Sequence, residues 1–154
     1  MSKIALSPYR TWYSLATTLA LSATAFAQDS PVGLWQSIDD ATGKPRAEIL
    51  ITDTDGLHSG RIVRSLQPTA PGTVEVCVKC TDDRKDKPMI GLDIIRNIKR
   101  SADAPIWGGG EILDPDKGKT YKLQLQLLES GKKLQVRGYL GPFFRTQIWI
   151  RVPS

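Results

Sequence analysis

Runs in which apolar and polar residues strictly alternate recur along this chain, and they constrain its fold more than any other feature. "AEILITD" (Ala47–Asp53) puts Ala47, Ile49 and Ile51 on one face. "TYKLQLQLLE" (Thr120–Glu129) does the same with Tyr121, Leu123, Leu125 and Leu127, leaving Lys122, Gln124 and Gln126 to water. "KLQVRGYL" sets Leu134, Val136 and Leu140 against Gln135, Arg137 and Tyr139, and "TQIWIRV" sets Ile148, Ile150 and Val152 against Gln147, Trp149 and Arg151. A period of two is the signature of a half-buried strand, because successive side chains point to opposite faces of a sheet. "LWQSI", "LHSGRIVRSL", "MIGLDIIRNI" and "IWGGGEIL" read as four weaker strands.

Turn signals of hairpin size separate these runs: "DDATGKP", "DTDG", "DPDKGK" and "ESGK". The stretch "GLWQSIDDATGKPRAEI" (Gly33–Ile49) therefore reads as the first hairpin, with Asp39, Asp40, Thr42 and Gly43 as turn residues. No later stretch carries an apolar stripe of helical period. About eight short strands joined by hairpins predict an all-β fold, a single antiparallel β-barrel, since closure removes the exposed edges that an open sheet must guard. A two-sheet β-sandwich is the alternative.

Residues 1–27 read as a cleaved secretory signal peptide: Lys3 and Arg10, then the apolar "YSLATTLALSA", then the small residues of "AFA" at Ala25–Ala27. A membrane anchor would need about 20 apolar residues, and this run is shorter and rich in Ser and Thr. Residues 28–154 are thus expected to form one domain without a membrane span, soluble in the periplasm or secreted. The removed segment carries two basic and no acidic residues, which lowers the formal charge of +5 to about +3. That excess is interleaved with acids rather than gathered into a basic stripe, which argues against nucleic-acid binding.

Between two proline-bearing ends, "QPTAPGTVEVCVKCTDDRKDKP" (Gln67–Pro88) is long for a connection inside a small domain, and predicts a functional flap or a short extra strand such as "TVEVCV". Within it Cys77 and Cys80 are expected to form a local disulfide, as an oxidising compartment favours. A redox role would ask for a helix N-terminus to stabilise the thiolate, and no helix is expected there. A metal site lacks its other ligands, and no cofactor is implied. The only histidine, His58, follows a turn and has no Gly-x-Ser-x-Gly beside it. Of the carboxylates Asp39, Asp40, Glu111 and Asp114, three fall in or beside turns, so no catalytic residues are assigned.

Several longer phrases carry a resemblance. "GLWQSIDDATGKPRA", Cys-x-x-Cys, "KPMIGLDII", "WGGGEILDPDKGKTY", "VRGYLG" and "RTQIWIR" together resemble the exported bacterial family known as Domain of Unknown Function 2147, from Gly33 to Arg151. That likeness implies a mostly β exported domain and no particular activity. A looser similarity is to lipocalin-like barrels, which begin with a Gly-x-Trp, matched by Gly33 and Trp35. Such barrels set a basic residue of the last strand against the indole, a role open to Arg145 or Arg151 by cation–π contact.

Aromatic and basic residues cluster near the strand ends. They lead to the expectation of an apolar cavity with a cationic rim, which binds a small apolar or amphipathic molecule, anionic in one version, without catalysis. The expected ligand-binding residues are Trp35 and Trp107 on the wall, Tyr121 and Tyr139 beside them, and Arg46, Arg137 and Arg145 at the mouth. A module that docks on another envelope protein through an exposed aromatic patch is the alternative, and an enzyme of unrecognised type is the third reading.

Overall fold

The computed structural model describes residues 29–153, so the expected signal peptide lies outside the described residues. Eight strands form: β1 (Gly33–Ile38), β2 (Pro45–Thr54), β3 (Leu57–Ser65), β4 (Asp93–Arg100), β5 (Ile106–Asp114), β6 (Lys119–Leu128), β7 (Lys133–Leu140) and β8 (Phe143–Arg151). Each pairs antiparallel with its neighbour in sequence, and β8 returns to β1 through Trp35↔Arg151 and Gln36↔Ile150, which closes the barrel. The sandwich alternative is excluded by this closure. All eight runs read from the sequence are strands.

The alternation delivers the core. Ile49 and Ile51 of β2, Leu123 and Leu125 of β6, and Leu134 and Val136 of β7 point inward and are buried. β8 is the exception, because its faces are the reverse of those expected. Trp149 is the buried residue, at 2% exposure, while Ile150 is 37% exposed. The register explains it: Trp149 lies opposite Leu134 and Gln147 opposite Val136, so the inward face of β7 carries these residues with it. The interior takes the indole, the larger apolar surface, and leaves the isoleucines outside.

One end of the barrel is shut by a network around the Gly-x-Trp. Trp35 is fully buried and donates its indole N–H to the carbonyl of Pro31 at 2.7 Å. The Arg151 guanidinium lies 4.1 Å from the centre of that ring and donates to the carbonyls of Gly131, Val32 and Ser30 at 2.6, 2.8 and 2.8 Å. Burial pushes its pKa below the ordinary arginine value. Gly33 adopts φ +133°, and a Cβ there would come within 2.7 Å of Arg151 Nη1. The glycine is therefore what lets the arginine reach the carbonyls.

The opposite end is where the long connection crosses. Residues 66–92 form an irregular loop with one isolated bridge, Val76↔Pro88, in place of the extra strand. Three fixings hold it. Cys77 and Cys80 are disulfide-bonded and each 1% exposed. The backbone of Lys79 runs so close to the β5–β6 turn that a Cβ on Gly118 would overlap its carbonyl oxygen. Arg84, also 1% exposed, reaches Asp82, the Asp93 carbonyl, Glu111 and Thr120, tying the loop to β4, β5 and β6.

Candidate functional site

A cavity of about 820 Å³ opens at the end that holds the β1–β2, β3–β4, β5–β6 and β7–β8 connections. Its wall is apolar: Ile49, Ile62, Ile94, Ile112, Val136 and Trp149 face it. Val76, Val78, Met89 and Ile90 of the long loop extend that wall upward on one side, and Leu140 and Phe143 on the other.

Polar groups gather at the rim. The aspartate pair of the β1–β2 turn divides its work. Asp39 shapes the turn, accepting from the backbone N–H groups of Ala41 and Thr42 and from the Thr42 hydroxyl at 3.1, 2.8 and 2.9 Å. Those donors, the Thr42 hydroxyl foremost, hold its carboxyl below the ordinary range. Asp40 instead reaches Arg145 on the neighbouring strand β8, accepting from Nε at 2.8 Å and from Nη2 on the same oxygen. Gln147 directs its amide nitrogen to that oxygen at 3.4 Å. The Asp40 carboxylate keeps the Arg145 pKa above its ordinary value. A second pair, Arg46 with Asp116, joins the start of β2 to the β5–β6 turn.

The seven residues expected to contact a ligand separate into three groups. Arg46, Tyr121 and Arg145 line the cavity. Trp35 and Trp107 lie in the core but not on the cavity wall. Trp107 stacks its ring edgewise on the buried His58, centroids 6.3 Å apart, with the Arg100 guanidinium 5.6 Å from its own ring. Arg137 and Tyr139 are on the outer surface of the barrel: the alternation that turns Val136 and Gly138 inward turns these two outward. There Tyr139 donates to Gln124 at 2.9 Å, and Arg137 sits 4.9 Å from the Phe144 ring centre. Of the two arginines open to the indole of Trp35, Arg151 takes the role and Arg145 is left free for the rim.

Sequence reasoning missed Asp40, Asp116, Gln147 and Trp149 as rim and wall residues. One signal was present: a single aspartate suffices to shape the turn, so the second of "DD" had a separate use. His58 does not line the cavity; its Nδ1 is buried without a hydrogen-bond partner and its Nε2 lies 3.7 Å from Asp53. Among the described residues no group of three or more His, Cys, Asp or Glu side chains is placed to hold a metal ion.

An eight-stranded barrel closed in chain order, with a Gly-x-Trp on β1 capped by an arginine of β8 and one open end, is a lipocalin-like fold. The solved structure of protein HP1028 from Helicobacter pylori, described as belonging to the lipocalin family, matches it with a TM-score of 0.67 over 81% of this chain and 84% of that one, at 13% identity. That likeness is one of fold. In sequence, residues 33–151 match the family described as "Uncharacterized protein conserved in bacteria (DUF2147)", and the chain belongs to that family. No curated protein matches the chain in sequence.

Proposed function

We propose that this protein is a non-catalytic binding protein of the periplasm, which holds a small apolar or amphipathic molecule inside its barrel. The observation that carries the reading is the cavity: about 820 Å³, walled by aliphatic side chains and one indole, and open at one end. Pockets of 300–1,000 Å³ with apolar walls and a few placed polar groups are typical of small-molecule sites. The disulfide fits an oxidising compartment, and no helix among the described residues is long and apolar enough to cross a membrane.

Titration with the neutral fluorophore N-phenylnaphthylamine tests it. The native protein is expected to bind the probe saturably. Ala47→Phe, which adds a ring on the inward face of β2 at the cavity wall, is expected to weaken binding about tenfold or more while costing no more than about 3 kcal/mol of unfolding free energy. Equal binding by the two proteins, or none by either, overturns the reading.

A second reading, docking on an envelope protein, is favoured by one observation. Phe143, Phe144 and Leu140 are 76%, 62% and 53% exposed at the β7–β8 turn, and clustered exposed aromatics mark interaction sites.

A further inference from the structure

We propose that Asp40 is an internal latch: its carboxylate holds the two cavity-lining donors Arg145 and Gln147, and the physiological ligand is an amphiphilic carboxylate that displaces it from Arg145. This rests on the ligand-binding reading above and names the ligand's head group and the gate it must pass.

The site is recognisable by its donors. A single oxygen, Asp40 Oδ2, receives Arg145 Nε at 2.8 Å, Arg145 Nη2, and the Gln147 amide nitrogen at 3.4 Å. The orientation of that amide is imposed from below, because the indole N–H of Trp149 donates to Gln147 Oε1 at 3.3 Å. With its oxygen engaged, the amide turns its N–H₂ toward the rim. Trp149 forms part of the apolar wall, so the donor set begins at the wall and ends at the mouth. Gly138 lies opposite Arg145 on β7, and both face the cavity. Having no side chain, Gly138 lets Tyr121 and Ile112 pack over it, with a Cβ there only 3.3 Å from Tyr121. A chain lying along Val136 and Trp149 would deliver its carboxylate to this place.

Asp40 engages the guanidinium through one oxygen only. A free carboxylate can present both oxygens to the planar fork, the stronger bidentate arrangement, and an exposed Asp–Arg pair is weak enough to be opened. Displacement transfers no atoms; it exchanges one carboxylate for another and frees the β1–β2 turn from β8. Arg46 and Asp116 form no such site, because no oriented amide joins them.

The latch is tested by competition of dodecanoate and dodecanol against bound N-phenylnaphthylamine. Asp40→Ala is expected to tighten dodecanoate about three- to fivefold, the range an exposed ion pair permits, and to leave dodecanol unchanged. Arg145→Ala should weaken dodecanoate alone, and adding Asp40→Ala to it should restore nothing. Asp116→Ala, which adds the same charge elsewhere on the rim, should leave both affinities as they were. Asp40→Asn repeats the experiment with the turn's shape preserved, should Asp40→Ala fold poorly. If the native protein binds both competitors but Asp40→Ala and Asp40→Asn leave dodecanoate unchanged, the latch is refuted and the cavity reading stands. Equal tightening by Asp116→Ala also refutes it, as a general charge effect. If the native protein binds neither competitor nor probe, both proposals fall.

Discussion

Replacing Arg84 by methionine should cost this barrel about 2–3 kcal/mol, and the figure follows from its surroundings. The guanidinium is 1% exposed and serves Asp82, the Asp93 carbonyl, Glu111 and Thr120. Removing one partner from a fully buried ion pair typically costs about 3–5 kcal/mol, because the other charge is stranded. Here the acids are not fully buried: Asp82 and Glu111 are 40% and 39% exposed and rehydrate when the arginine is lost. The Asp93 carbonyl loses a charged donor, worth about 1.5–3 kcal/mol. Methionine keeps much of the apolar stem, so packing changes little. At about 4 °C per kcal/mol for a domain of this size, the melting temperature should fall by about 8–12 °C by circular dichroism. Arg84→Lys should recover less than half of the loss, since an ammonium cannot reach four partners spread around a planar fork. Asp82→Asn combined with Arg84→Met should cost less than the two single changes added. A shift below about 2 °C for Arg84→Met would show that the loop is held by the disulfide and its apolar contacts alone, and would refute the clamp.

Acid should loosen the same loop in a defined window. Arg84 holds the Asp82 carboxyl down at about 2 from an ordinary 3.8, so the folded state binds fewer protons than the unfolded one and the stabilisation, complete above 3.8, is lost as pH falls toward 2; urea midpoints of Asp82→Asn should lack that segment of the acid slope. Arg151→Lys should destabilise by about 2 kcal/mol in urea unfolding, because one ammonium cannot both cover Trp35 and serve three carbonyls. Unchanged urea midpoints for Arg151→Lys would mean that closed-end packing, rather than the arginine, holds the Gly-x-Trp in place.

Strands were legible wherever one face meets a uniformly apolar neighbour. β2, β6 and β7 announce their inward residues because the interior there is aliphatic. β8 defeated the same logic: its two alternating sets are Ile148, Ile150 and Val152 on one side, Gln147, Trp149 and Arg151 on the other, and hydropathy prefers the first. The structure uses the second because the inward side chains of β8 are not a uniform core. Arg151 caps Trp35, Trp149 fills the middle, and Gln147 meets the rim. Arg137 and Tyr139 illustrate the same limit from the other side, since residue type alone suggested a binding surface while their parity in β7 sends them outward. The clamp of Arg84 was invisible because its partners come from β4, β5 and β6 and from its own loop, and no local spacing records such contacts.

The reversal on β8 also explains why the cavity has a direction. Inward positions along β8, read toward the mouth, are Trp149, Gln147 and Arg145: apolar, amide, cation. Their partners on β7 are Leu134, Val136 and Gly138, and on β6 Leu127, Leu125 and Leu123 lie across from those. Polarity therefore rises along β8 toward one end, while the other end is sealed by Trp35 and Arg151. A slip of one residue in β8 would send every one of its side chains to the opposite face. β8 would then turn Thr146, Ile148 and Ile150 inward and contribute neither an amide nor a guanidinium to the rim. The register that looks wrong by hydropathy is thus the one by which β8 carries the interior from the indole of Trp149 to the guanidinium of Arg145 at the mouth.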